Sequence, residues 1–365
     1  MALKKINLCT LIVLLNVGIF GCETKLEEDP SEQVTAELNE AQEQDTEASV
    51  PDQKLKIAFS MDTLVEERWE KDRDMFVEAV KALGAEIEVK AANGNDALQI
   101  AQAETLISQD PDLLVLVPHN AEVAATIVGK AKMAEIPVIA YDRLVKNANV
   151  DLYISFDSMK VGALQAEAIT ELVPKGKYVY IGGASTDNNA HLLKEGVFSV
   201  LQPYIEKGDI TVVYDQWSDA WTPASAKLNM EEALAANDNQ IDAVIAANDA
   251  TAGSVIEVLE EYGLAGQIPV AGQDAELAGI QRIIDGTQAM TVYKPIKELS
   301  KQAAEIAVRM AGGEMIETNL VTNNGKKDIP TVFLDPIAVN QDNIYETVIA
   351  DGFHQLEDLK LDEVQ

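Results

Sequence analysis

Residues 112–141 read DLLVLVPHNAEVAATIVGKAKMAEIPVIAY, and this stretch decides the fold. Asp112 to Val117 is a continuous apolar run stopped by Pro118, the pattern of a parallel strand buried on both faces. Residues 121–134 carry helical spacing, and 136–141 (IPVIAY) is a second apolar run of strand length. Two strands joined through a helix lie parallel, wound by a right-handed crossover.

The same alternation extends outward in both directions. Upstream, Lys56 to Phe59 reads as a strand and 66–83 as a helix, with Trp69, Phe76, Val80 and Leu83 on one face. Gly84 stops that helix; strand 85–91 and helix 97–109 follow. Downstream, strand 152–155 leads out of the first run. Helices are then expected at 158–172, 188–205, 222–236, 250–262, 275–285 and 295–312, and strands at 177–181, 210–214, 241–246, 268–272 and 289–293. Residues 328–350 read as further extended chain crossing back. About ten strands overfill one compact sheet, so the pattern predicts an α/β protein of two similar, doubly wound parallel-sheet lobes.

Composition removes whole classes of function. With 47% apolar and 24% charged residues, the chain of 365 residues can build a core. Lys plus Arg number 28 against 61 Asp plus Glu, a formal charge of −33. Nucleic acid and anionic lipid both demand the opposite surplus. Two cysteines and three histidines hardly allow a Cys/His metal site. No G-x-G-x-x-G follows a strand and no Walker loop is present, so no cofactor is expected.

The N-terminus reads as a targeting segment. Lys4 and Lys5 precede an apolar run from Ile6 to Phe20, too short for a membrane span but right for a signal-peptide core. The run ends in Ile19-Phe20-Gly21-Cys22, which resembles a bacterial lipobox and makes Cys22 the expected lipidation site after removal of 1–21. From Glu23 to Gln53 the chain is acidic with Lys25 its only base, which predicts a disordered tether.

In open α/β sheets ligands bind outside the carboxyl ends of the strands. Those ends carry Asp142 and Arg143; Asp187, Asn188 and Asn189; Trp217 and Trp221; Asn248 and Asp249; Gln273 and Asp274; and Lys294. Arg68 and Trp69 lie just beyond the first strand. A sugar hydroxyl both donates and accepts, so its site needs carboxylates, cations and amides together. The apolar faces of a sugar ring suit a flat indole. Each residue alone has a plainer role, an Asp after a strand as a helix cap above all. The argument rests on their joint placement.

At these residues the sequence resembles the periplasmic sugar-binding proteins of ABC transporters. The likeness runs from about Lys56 to His354 and includes ERWEKDRD (67–74), YDR (141–143), YISFD (153–157), DNNA (187–190), DQWSDAW (215–221), NDATAG (248–253), GQDAELAGI (272–280) and GTQAMTVYKPI (286–296). The ERW, DNNA and DQW-x-x-x-W stretches point to the xylose-binding branch. The resemblance implies a type I binding-protein fold with a first lobe at 54–157 plus 294–325, a second at 158–293 plus 326–352, and a tail at 353–365. Three crossings near 157, 293 and 325 would form the hinge. It implies sugar hydrogen bonds from Arg68, Asp142, Arg143, Asp187, Asn189, Asn248, Asp274 and Lys294, with Trp69 and Trp221 stacking on the ring. It further implies a monomeric, non-enzymatic, exported protein that captures a monosaccharide, D-xylose by its branch, for an ABC permease. Cys22 and the tether depart from the soluble pattern and favour a lipid-anchored receptor, in the periplasm or at the outer face of the cytoplasmic membrane.

Three rival readings are weaker or overlap. A sugar-responsive repressor would need a basic helix-turn-helix where residues 1–53 carry a signal and an acidic stretch. An enzyme would use Asp142 and Asp274 as an acid–base pair, but each has an adjacent or nearby cation suited to keeping it ionised. A receptor subunit presenting its closed form to a membrane kinase or chemoreceptor would share the sugar site.

Overall fold

The computed structural model describes residues 54–360. The expected signal, Cys22 and tether at 1–53, and the end of the tail at 361–365, lie outside the described residues. In chain order the first run comprises β1 (Lys56–Met61), α1 (Glu67–Ala82), β2 (Glu86–Ala91), α2 (Asp96–Ile107), β3 (Leu113–Leu116), α3 (Ala125–Met133), β4 (Val138–Tyr141) and β5 (Leu152–Phe156). The second comprises α4 (Ser158–Leu172), β6 (Gly176–Gly182), α5 (Asn188–Lys207), β7 (Ile210–Trp217), α6 (Pro223–Ala236), β8 (Ala243–Ala246), α7 (Asp249–Glu261), β9 (Val270–Ala271), α8 (Leu277–Ile284) and β10 (Thr291–Tyr293). The chain closes with α9 (Ile296–Ala311), β11 (Leu320–Asn323), β12 (Asp328–Leu334) and β13 (Ile337–Val339).

The sheet of the first lobe runs β11-β12-β5-β4-β3-β1-β2, parallel except for the β11–β12 pair. That of the second runs β7-β6-β8-β9, and a parallel bridge from Ala271 to Met290 continues it into the antiparallel β10–β13 pair. Both cores are doubly wound, as period-two alternation dictates. Ile57, Phe59 and Met61 pack with Phe76 of α1 and Leu299 of α9, while Ala58, Leu114 and Leu116 pack with Ala103 of α2 and Ile127 of α3. In the second lobe Tyr178 and Tyr180 face α4 and α5, whereas Val179 and Ile181 face α6 and α7.

Some expectations shift. Residues 121–124 form a turn ahead of α3, because the Asn120 side chain accepts from the backbone N–H groups of Glu122 and Val123 at 3.0 and 3.1 Å. Of 326–352, expected in the second lobe, the part up to Leu334 is corrected: β12 pairs in register with β5, Thr331 opposite Tyr153, and Ile329 is buried in the first-lobe core, whereas β13 pairs with β10 of the second lobe. The third crossing therefore lies at 335–336, between β12 and β13, rather than near 325. The extended reading of 328–350 holds to Val339; Tyr345–Ile349 is a π-helical turn whose Val348 is buried. The tail is ordered into the core through Phe353, His354 and Leu359. Lys71 Nζ of α1 donates to Phe353 O at 3.0 Å, and His354 Nε2 lies 2.6 Å from Ala275 O, so this segment ties α1 to the start of α8.

Candidate functional site

The strands of both sheets end at one narrow interlobe cavity. Arg68, Trp69, Asp142, Arg143, Asp187, Asn189, Trp221, Asn248, Asp274 and Lys294 all line it. The other end-of-strand residues divide. Gln273 joins the lining; Asp249 turns back to accept from Gln288 Nε2 and Thr291 Oγ1, and Trp217 packs on His191.

Local structure explains each presentation. Asp142 and Asp274 occupy equivalent places in the two lobes. Both have left-handed backbones (φ 60° and 90°), and both donate their N–H groups to the next strand, to Ile154 O and Val292 O at 2.8 Å. Asp tolerates this region better than most residues, and strain of this kind gathers where a site over-determines the chain. Asp187 and Asn248 are helix caps after all, accepting from Asn189 N and Thr251 N at the starts of α5 and α7, yet both also face the cavity. The two roles coexist because a helix N-terminus here opens onto the cleft. Trp221, at φ 59° in a 3₁₀ turn, lays its ring on Gly183, where any Cβ would fall 2.3 Å from Cη2. Only glycine permits that approach.

Three buried cations thread the carboxylates. Arg68 places Nη2 2.9 Å from Asp72 and 3.0 Å from Asp142, and Nη1 3.5 Å from Asp274 of the other lobe. Arg143 reaches Asp62 at 2.5 Å and, across the cleft, Asp187 at 2.9 Å. Lys294, at the second crossing, holds Asp274 at 2.7 Å. Asn189 Nδ2 donates to Asp142 O at 2.9 Å, again between lobes. The lobes are thus closed on one another by polar contacts. The Trp69 ring lies under both guanidinium groups, 4.2 Å from that of Arg68 and 4.9 Å from that of Arg143.

Burial pushes the Asp142 carboxyl up, but Arg68, Lys294 and Arg143 outweigh it and hold the group below the usual carboxylate range. Asp187 goes the other way: burial raises it, and Arg143 offsets only part. Among the described residues no protein partner takes Arg143 Nη2, Asn248 Nδ2 or Asp274 Oδ2. Donors and acceptors therefore remain available from both lobes around one small volume.

Sequence reasoning missed Glu66, Phe156, Ser158, Val161 and Leu193 in the lining. Phe156 ends β5 and was open to the end-of-strand rule. Val161 sits in the first turn of α4 and Leu193 in the second turn of α5, where apolar residues look like core.

Beside the cavity, Glu276 precedes α8 with its Oε1 buried and unpartnered. Burial, reinforced by Asp249, Asp274 and Glu67 against the pull of Arg282, pushes its carboxyl up to about 8 from 4.5. Burial lifts Asp249 to about 7 in the same sense. Both groups are raised in the fold, so their stabilising contribution is complete below the unfolded carboxylate values and is lost as pH rises through 7 and 8. Melting temperature should fall between about pH 5 and about pH 9, and Glu276→Gln should make that fall shallower. Parallel curves for the two proteins would show that Glu276 is ionised in the fold.

Known proteins place the chain. A D-xylose-binding periplasmic protein of Haemophilus influenzae is 51% identical over 305 residues, covering 84% of this chain and 92% of its own length. The protein of the same description in Escherichia coli is 50% identical over the same shares. Among solved structures, a carbohydrate transporter solute-binding protein of Chloroflexus aurantiacus in complex with D-glucose superimposes with a TM-score of 0.79 at 31% identity, over 84% of this chain and 98% of that one. A sequence model of the periplasmic binding protein domain matches residues 57–315. With its paired doubly wound lobes and its interlobe cavity, the chain belongs to the periplasmic binding protein family.

Proposed function

We propose that this protein captures a monosaccharide, D-xylose first among them, in the interlobe cavity and delivers it to an ABC permease. The observation that carries this reading is the convergence of unused polar groups from both lobes, Arg143 Nη2 on one side and Asn248 Nδ2 and Asp274 Oδ2 on the other, in a cavity that Trp69 and Trp221 also line. A polyhydroxylated ring needs donors, acceptors and flat apolar cover at once. Relatives described as D-xylose-binding periplasmic proteins at half identity, and the resemblance carried by the ERW, DNNA and DQW-x-x-x-W stretches, support that sugar. Ligand held by both lobes stabilises the closed form, and a permease that reads only the closed form then receives loaded protein. The cavity residues act as binding groups, and the reading is of a carrier rather than a catalyst. Titration calorimetry with xylose, arabinose, ribose, glucose and galactose tests it: xylose should bind tightest, and a chain that binds none of them would end the reading.

Trp221→Ala should weaken xylose binding by about 1–3 kcal/mol, the worth of a large buried apolar contact. Trp221→Phe keeps most of the cover and loses the 3.2 Å bond from Nε1 to Asp187, costing about 1 kcal/mol. Quenching or shift of tryptophan fluorescence on adding xylose gives the same information from the wild type. Unchanged affinity in Trp221→Ala would return the residue to a packing role.

For location we propose export and lipid anchoring at Cys22, at the outer face of the cytoplasmic membrane or in the periplasm, with the acidic segment as spacer. The apolar run ending in Gly21-Cys22 supports it. Wild-type protein should partition into detergent with added mass on Cys22, and Cys22→Ala should remain unprocessed. Recovery of unmodified protein starting elsewhere would remove the anchor.

A further inference from the structure

Arg143 is itself held, and the groups that hold it lead out of the sugar cavity. Its Nη1 donates to Asp62 Oδ2 at 2.5 Å and lies 3.4 Å from Pro118 O. Its Nε is 2.9 Å from Asp187 of the second lobe, which leaves Nη2 alone for a ligand. Asp62 is 4% exposed and follows β1; its other oxygen, Oδ1, lies 2.8 Å from Nδ1 of His119, which follows β3. The His119 backbone N–H donates to Gln99 Oε1 at 3.0 Å, and Gln99 Nε2 donates to Val117 O at 2.7 Å, which fixes the loop that carries the imidazole. A charge buried as deeply as Asp62 is costly unless paired, and its two partners are the cleft arginine and this histidine.

We propose, building on the sugar-binding reading, that Asp62 and His119 are positioning residues for Arg143: they fix its guanidinium in the orientation that leaves Nη2 facing the ligand, and they couple sugar affinity to the protonation of His119. An arginine held on its other edges loses little further freedom when a ligand arrives, so pre-organisation becomes affinity.

The direction of the coupling follows from the charges that face the imidazole. On the first lobe these are Asp62, Asp96 at the start of α2, and Arg143. A second, outer cavity between the lobes is lined by His119, Asp62, Glu66, Glu67 and Arg143; among the described residues the second lobe adds one ionisable group to it, Glu276, whose carboxyl is pushed up to about 8 and adds little charge while protonated. The second lobe also sets Asp187 against Arg143, drawing off part of the positive charge that Asp62 would otherwise answer. Closure therefore lessens the positive charge facing His119, through Asp187 set against Arg143, and favours its imidazolium. The Asp62 carboxylate, 2.8 Å from Nδ1, already holds the His119 pKa above its ordinary value, with burial opposing. Sugar affinity then rises as pH falls through the His119 titration, and by reciprocity bound sugar raises the His119 pKa.

The test uses the full chain with D-xylose as probe. Asp62→Asn should bind about tenfold more weakly, the worth of a charge-assisted hydrogen bond. From about pH 5.5 to about pH 8.5 wild-type affinity should fall, and His119→Gln should show a smaller fall, the difference being the share carried by the imidazole. Proton resonances of the His119 ring should titrate at higher pH with xylose present in the wild type, and without that displacement in Asp62→Asn. If Asp62→Asn fails to fold, the His119→Gln profile and the wild-type ring titration decide alone. Normal binding by Asp62→Asn, beside lost binding in Arg143→Ala, overturns the positioning role and leaves sugar binding standing. Identical pH profiles for wild type and His119→Gln overturn the coupling. A wild type that binds no sugar overturns the underlying reading instead.

Discussion

Arg143→Ala should lower affinity for the sugar by about 3–5 kcal/mol, a loss of roughly two orders of magnitude or more. The guanidinium is buried, and it answers a carboxylate from each lobe, Asp62 at 2.5 Å and Asp187 at 2.9 Å. Truncation leaves both in a closed cavity with their main cation gone, and breaking a buried pair costs far more than the pair contributes net. Burial already raises Asp187 above the usual carboxylate range with the arginine present. Without it, closure must either protonate Asp187 or set it against Asp142 uncompensated. Arg143→Lys should recover little, because a point charge cannot span two carboxylates as a planar fork does. Calorimetry reads the affinity, and solution scattering should show that xylose no longer compacts the variant. Salt should matter little in the wild type, since screening acts on exposed charges. Binding by Arg143→Ala within about threefold of wild type would mean that the cleft closes without this clamp.

Much of this architecture is legible in the chain because burial on both faces writes parallel strands as unbroken apolar runs. DLLVLV and IPVIAY have no other economical reading, and the alternation around them fixes two doubly wound sheets. What stays illegible is pairing at a distance. β12 reads as extended chain whichever lobe it joins, and only its register with β5 assigns it to the first. The turn at Tyr345–Ile349 is too short to show a period, and its burial depends on a core built far away in sequence.

The site was legible for a related reason. A topology that puts every strand's carboxyl end at one cleft turns a scattered set of Asp, Asn, Arg and Lys into neighbours. The same rule reaches Asp62 after β1 and His119 after β3, which were passed over because neither sits in an Asp-Arg or Asn-Asp pairing that draws attention. Val161 and Leu193 carry no such signal, since an apolar residue near the start of a helix looks alike whether it meets core or ligand.

Arg68 differs from the other cations in the depth of what it neutralises, and its replacement should damage the fold as well as the site. Its Nε and Nη2 bind Asp72, which is 0% exposed and whose other oxygen accepts the Tyr141 hydroxyl at 2.6 Å. Asp72 belongs to α1 and faces the first-lobe core rather than the ligand. Burial raises its carboxyl even with Arg68 in place. Arg68→Ala should therefore destabilise the protein by about 3–5 kcal/mol, a large share of a typical stability of about 5–15 kcal/mol, besides losing sugar. Lys294→Ala is the comparison: its ammonium meets Asp274 at 2.7 Å, and Arg68 still lies 3.5 Å from that carboxylate, so affinity should fall while the melting temperature drops less than in Arg68→Ala. Removing the stranded charge as well, in Arg68→Ala with Asp72→Asn, should recover part of the stability and none of the affinity, because the amide still meets Tyr141 but nothing replaces the guanidinium beside Asp142. If Arg68→Ala melts with the wild type, Asp72 is neutral in the fold without its help, and Arg68 serves the ligand only.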